Sequence, residues 1–202
     1  MLARMTRTRR SFLWALVLVA AGVVAYGLGL LLHPAPPLAG QALTKDPPDV
    51  AGVHLVNDQG RPVALSDYRG KVLLVYFGYT RCADTCPLTM QKLAKAYRDA
   101  GAPSDVQVAM ITVDPSHDTP AVLGAWVKHF DPSFLGLTGS ADQIAKAAKA
   151  FMIGYSTSGE PSDHTAVVEV VGRDSHIRYI YGQGEIVKLS DDLPRLLAAG
   201  AG

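Results

Sequence analysis

Lys71-Val72-Leu73-Leu74-Val75-Tyr76-Phe77 runs directly into Gly78-Tyr79-Thr80-Arg81-Cys82-Ala83-Asp84-Thr85-Cys86-Pro87. The first seven residues form a continuous apolar run with a glycine on either side. Such a run fits a strand covered on both faces. From Pro87 to Ala100 the pattern changes to Leu88, Leu93, Ala94 and Tyr97, a helical stripe with proline in its first turn. Both cysteines of the chain, Cys82 and Cys86, therefore lie between a buried strand and the start of a helix. Loops at the carboxyl ends of such strands are where α/β domains build their sites.

Working outward, Val106 to Val113 is a second buried run. Thr119-Pro120 reads as the cap and first residue of a helix reaching about Phe130. Ser140 opens another through Phe151, with Ile144, Ala147, Ala148 and Phe151 on one stripe. Ala166 to Val171 and Ile177 to Tyr181 read as an antiparallel hairpin around Gly172-Arg173-Asp174-Ser175, and a helix over Asp191 to Ala199 closes the chain. Upstream, Val53 to Val56 and Pro62 to Leu65 flank the turn signal Asn57-Asp58-Gln59-Gly60. This order predicts an α/β, thioredoxin-like domain over 49–202 with an N-terminal hairpin. The helical segment before the last hairpin resembles the peroxiredoxin-like branch of that fold.

The 202 residues carry a net charge of +1, but unevenly. Met1 to Lys45 contains four arginines, one lysine and no acid, so it is +5 and the remainder is −4. The chain as a whole offers no broad basic face for nucleic acid. Residues 1–10 form a basic flank, and Ser11 to Leu32 is an uncharged run of 22 residues. At about 1.5 Å per residue it spans roughly 30 Å, the hydrocarbon thickness of a bilayer, and it exceeds the usual signal-peptide core. The expectation is one transmembrane helix at 11–32, basic flank in the cytoplasm, the rest exported. Thr8-Arg9-Arg10-Ser11-Phe12-Leu13 also resembles a twin-arginine export signal. Residues 33–48, rich in proline and alanine, read as a linker. A bacterial plasma membrane with the C-terminal domain in the periplasm fits this flank. A mitochondrial inner membrane fits less well, because no long Ser/Arg-rich stretch precedes the run.

Two cysteines are too few for a disulfide scaffold, and their C-x3-C spacing differs from the C-x2-C of thioredoxin-type redox pairs. Residues four apart on a helical turn sit roughly 6 Å apart at Cα, close enough for a disulfide. The spacing also lets both sulfurs converge on one soft ion, Cu(I) or Zn(II). A structural disulfide, a redox pair and a metal site all remain open on spacing alone. The positive end of the helix should favour thiolate at Cys86. A copper site that also accepts Cu(II) needs a further donor, usually imidazole. Position favours His164, after the Gly/Ser-rich loop Ser156 to Ser162 and before the strand at Ala166. His117, in the loop after the second buried run, is its rival, whereas His33, His54, His129 and His176 read as surface or packing residues.

Tyr76-Phe77-Gly78-Tyr79-Thr80 with Cys82, Asp84, Cys86 and Pro87 resembles the signature of the Sco/SenC copper chaperones. Gly70-Lys71-Val72, Val113-Asp114-Pro115 with Asp118-Thr119-Pro120, Gly136-Leu137-Thr138-Gly139-Ser140 and Asp163-His164-Thr165 agree in order and spacing. The resemblance covers about Val53 to Leu197 and implies Cys82, Cys86 and His164 as ligands of one copper, Cu(I) or Cu(II), per chain. It implies a carrier rather than an enzyme, delivering copper to the dinuclear site of cytochrome c oxidase subunit II or another copper acceptor. A periplasmic copper donor would stand upstream. Asp163 is a candidate orienter of His164. The alternative is a thiol-disulfide oxidoreductase in which Cys82 and Cys86 cycle through a disulfide to reduce the oxidase subunit's cysteines before metallation. A peroxidase is disfavoured, because the Pro-x-x-x-Thr-x-x-Cys arrangement of the peroxiredoxins is missing. The chain departs from the family at Arg81 and Ala83, where His and Pro are usual, and Arg81 should lower the thiol pKa values and repel Cu(II).

Overall fold

The computed structural model describes residues 7–32, 36–154 and 165–199, with side chains over 14–29 in the first of these. The chain divides into two units, Met1–Pro37 and Leu38–Gly202. In the first, α1 (Arg7–Leu32) is one 26-residue helix. Trp14, Leu18 and Tyr26 stand exposed on it. Among the described residues no helix is long and apolar enough to cross a membrane.

The second unit is built on one mixed sheet. Its strands are β1 (Gln41–Ala42), β2 (His54–Asn57), β3 (Pro62–Ala64), β4 (Val72–Gly78), β5 (Val106–Thr112), β6 (Leu135–Thr138), β7 (Val168–Val171) and β8 (Ile177–Tyr181). They lie in the order β1-β8-β7-β4-β5-β6-β2-β3. β4, β5 and β6 are parallel, and β7 runs antiparallel to β4 through Tyr76↔Val168 and Val75↔Glu169. All seven residues of β4 are buried, as the uninterrupted apolar run requires. Burial of Leu73, Leu74, Val75, Tyr76 and Phe77 stabilises the fold by about 1.5–3 kcal/mol each as an upper bound.

The helices are α2 (Thr85–Asp99), α3 (Pro120–Lys128), α4 (Ala141–Ala150) and α5 (Leu189–Ala198). The caps read from sequence are formed. Thr119 Oγ1 accepts the Val122 N–H at 3.4 Å with Pro120 as first helical residue. Ser140 and Gln143 make a reciprocal capping box. Register puts Tyr76, Met110, Val168 and Tyr181 on one face of the sheet. There Tyr76 meets Cys86 of α2, and Tyr181 donates its hydroxyl to Asp192 of α5 at 2.9 Å. On the other face the Phe77 ring meets Phe151, at the end of α4, edge-on with centroids 5.3 Å apart.

The expected hairpin is β2–β3, and β2 also pairs with β6, so it extends the same sheet. The stretch read as linker over 33–48 differs from its description from Leu38 onward. Leu38 and Leu43 pack on the core, and Gln41 and Ala42 pair with Ile180 and Tyr179. Asp192 accepts the Ala39 N–H at 2.7 Å. Gly40 lies so close to the Tyr181 ring that a Cβ would sit 2.4 Å from it, so only glycine fits there.

Candidate functional site

β4 ends at Gly78, where a Cβ would come within 2.7 Å of the Tyr76 ring and 3.1 Å of the Cys86 sulfur. A bare backbone at this position lets the sulfur settle against the strand end. The chain then turns: the Cys82 N–H bonds the Tyr79 carbonyl at 3.3 Å, with Thr80 and Arg81 as the two central residues. α2 starts two residues before Pro87, so Cys86 sits inside its first turn. The residue in the cap position, Asp84, makes no side-chain capping bond. The Cys82 sulfur takes over that duty, accepting the Cys86 N–H at 3.3 Å. Both cysteines are thiols, Cys82 half-buried and Cys86 fully buried.

This geometry reverses the expected roles of the two thiols. Burial pushes the Cys86 thiol up to about 12, and its neighbour Cys82 adds to the rise against hydrogen bonding from Tyr76. At Cys82 burial also raises the pKa, but hydrogen bonds from the Cys86 side chain and backbone, the Asp84 backbone and the Tyr79 side chain outweigh it and bring it below the usual thiol value. The helix N-terminus therefore favours thiolate at the sulfur that caps it, Cys82, and not at Cys86. Tyr76 donates its hydroxyl to the Cys86 sulfur at 3.4 Å, and burial holds that phenol far above its ordinary range, so it stays a donor.

The expected influence of Arg81 on the thiols is also revised. Its Nε and Nη2 bond Asp114 Oδ2 at 3.2 and 2.7 Å, which commits the guanidinium to a carboxylate. Burial would raise Asp114, yet bonds from His117, Arg81 and Ser116 hold it down at about 2. The depression at Cys82 comes from hydrogen bonds instead. One measurement checks the asymmetry: iodoacetamide at pH 7.5 alkylates Cys82 at least about 100-fold faster than Cys86. Equal labelling rates would contradict it.

His117 is exposed, with Nδ1 2.9 Å from Asp114 Oδ1 and 3.0 Å from Ser116 Oγ. His54 and His129 are exposed too, and His176 is half-buried beside Asp174. Asp163, His164 and His33 lie outside the described residues. Among the described residues, no third His, Cys, Asp or Glu joins Cys82 and Cys86. Three residues without a role in the sequence-based expectations bear on this region. Asp118, fully buried, accepts from the Thr80 N–H at 3.1 Å, the Thr80 hydroxyl at 2.5 Å and the Thr112 hydroxyl at 2.6 Å. Asp114 holds Arg81 as above. Gln183 accepts from Thr89 on α2 at 3.1 Å and donates to the Ala166 carbonyl at 3.0 Å. Asp114 and Asp118 stand out in the sequence only as parts of the family-like blocks Val113-Asp114-Pro115 and Asp118-Thr119-Pro120.

The sequence profile of the SCO1/SenC family matches residues 45–197. An SCO2-like protein of Rickettsia felis is 35% identical over 151 residues, covering 73% of this chain and 73% of that one. Arabidopsis thaliana ScoI with copper bound superposes with a TM-score of 0.69 at 30% identity, over 74% of this chain and 99% of that one. BsSco, described as a member of the Sco family of cytochrome c oxidase assembly proteins with a disulfide switch, gives a TM-score of 0.64 at 26% identity. The match covers 80% of this chain and 97% of that one. The chain spans about half the length of the mammalian mitochondrial SCO2 homologues it matches. A buried strand ending in glycine, a cysteine pair across the first turn of a helix and a profile match over most of the sequence agree: the chain belongs to the SCO1/SenC family.

Proposed function

We propose that this protein is a membrane-tethered copper chaperone. One copper is held by Cys82, Cys86 and His164, and Asp163 orients the imidazole. The cargo passes from a periplasmic donor to the dinuclear copper site of cytochrome c oxidase subunit II or another copper acceptor. The observation that carries this reading is the pair of sulfurs of unequal exposure at one helix N-terminus. Two soft sulfurs side by side suit Cu(I). With Cys86 buried, an incoming partner ligand would reach the ion from the Cys82 side, and exchange would proceed one sulfur at a time.

Gln183 supports a nearby third ligand. Through Thr89 it ties α2 to Ala166, two residues along the chain from His164. The anchor belongs to the same proposal. α1 is 26 residues long, and 14–29 within it contains no charged residue. Here it serves as a single-pass helix in a bacterial plasma membrane, carrying a peroxiredoxin-like variant of the thioredoxin fold on the periplasmic side.

A second reading is favoured by the thiol asymmetry. Cys82, the more acidic and more exposed sulfur, would attack a partner disulfide, and Cys86 would then displace it. The partner disulfide becomes two thiols while Cys82 and Cys86 become one disulfide. A copper titration of the reduced full chain in detergent separates the readings. The chaperone binds one copper per chain, and His164→Ala weakens Cu(II) binding at least about 10-fold and Cu(I) binding less. Wild-type Cu(II) affinity in that variant would reject His164 as a ligand. Full rescue of oxidase assembly by it at low copper would favour the reductase.

A further inference from the structure

We propose that Asp118 and Asp114 form a carboxylate clamp that fixes the turn before Cys82 and so positions the first copper ligand. This rests on the chaperone reading above. The turn Tyr79–Cys82 has two central residues, and each is gripped by a carboxylate from the loop that follows β5. Asp118 receives both the backbone N–H and the hydroxyl of Thr80. Asp114 receives the Arg81 guanidinium through two nitrogens. The clamp is itself anchored to the sheet. The Thr112 hydroxyl at the end of β5 donates to Asp118 and accepts the Asp114 N–H at 2.9 Å. The Asp118 N–H returns to the Asp114 carbonyl at 2.9 Å.

Neither carboxylate hydrogen-bonds a sulfur, so both act through the turn. Without the clamp the turn would keep its closing bond to Tyr79 and the weak sulfur bonds at the helix end, and the Cys82 sulfur would retain more conformational freedom. Gripping both central residues from outside removes that freedom before any ion arrives. A donor site already held in its bound shape loses less conformational entropy on binding. The clamp spans 33 and 38 positions of sequence, which makes the cysteine turn depend on the β5 loop. Asp118 and Asp114 are thus positioning residues for the copper exchange.

The test uses the reduced full chain in detergent, Cu(I) competed against a chromophoric chelator, and iodoacetamide labelling of Cys82 as a copper-free readout. Thr80→Val keeps the shape of the side chain and deletes its bond to Asp118, whereas Thr80→Ser keeps the bond. The expected result is Cu(I) affinity about 5–10-fold weaker in Thr80→Val and in Asp118→Asn, with Thr80→Ser within about twofold of wild type. The double variant Thr80→Val/Asp118→Asn should be no weaker than Asp118→Asn alone. Cys82 labelling should change in Thr80→Val and stay at the wild-type rate in Thr80→Ser. Cu(I) affinity and Cys82 labelling both unchanged in a folded Thr80→Val would overturn the clamp, whatever Asp118→Asn does to folding. Failure of wild type to hold Cu(I) would instead reject the chaperone reading, leaving the labelling comparison to decide the clamp.

Discussion

Cys86→Ser lowers the affinity of the reduced chain for Cu(I) by about 1,000-fold or more, while the fold survives. A hydroxyl is a hard, weakly basic donor and does not replace a thiolate on a soft ion. The fold should tolerate the exchange, because serine fits the space against Gly78 and can still accept the Tyr76 hydroxyl. A penalty of about 1 kcal/mol is expected from slightly poorer packing. Cys82→Ser should lose copper to a similar degree yet keep the helix cap, since serine is a good capping residue. Retention of wild-type Cu(I) affinity in Cys86→Ser, with melting behaviour intact, would exclude this sulfur as a ligand.

Glu169→Gln removes most of the loss of stability that the wild type shows between pH 5 and pH 8. Glu169 lies in β7 opposite Val75, 1% exposed, and its Oε2 has no hydrogen-bond partner among the described residues. Burial alone pushes its carboxyl up to about 8 from an ordinary 4.5. The folded chain therefore keeps a proton that the unfolded chain has released. Stability from this group is fully present below about pH 4.5 and is lost as the pH rises through 8. Between pH 5 and pH 8 the loss amounts to about 3 kcal/mol. Urea unfolding at the two pH values measures it in wild type, and the glutamine variant should flatten the difference. An equal pH slope in both proteins would contradict the buried-acid account.

The parts of the site that are local in sequence were legible. Lys71 to Phe77 followed by Gly78 announced a strand with no wet face, and Thr119-Pro120 and Ser140 marked helix starts that the structure keeps. Long-range contacts were not legible. Asp118 reaches Thr80 across 38 positions, and no periodicity shows that. The roles of the two thiols were inverted because α2 opens at Thr85, before Pro87. That shift buries Cys86 and turns Cys82 into the cap. Glu169 lies within Val167-Val168-Glu169-Val170-Val171, and nothing in that hairpin strand's sequence announces its burial, yet every residue of β7 is covered. β1, of two residues, and β6, of four with a glycine inside, are too short to leave a pattern. They are held by their neighbours: Leu123 fills the space that a side chain at Gly136 would need.

X-ray absorption at the copper edge of the Cu(I)-loaded full chain tests the central claim most directly. Two sulfur neighbours and one imidazole nitrogen around a single copper are expected, with the imidazole signal lost in His164→Ala and a sulfur lost in Cys86→Ser. A first shell of nitrogen and oxygen alone, or a spectrum unchanged by both substitutions, would contradict it.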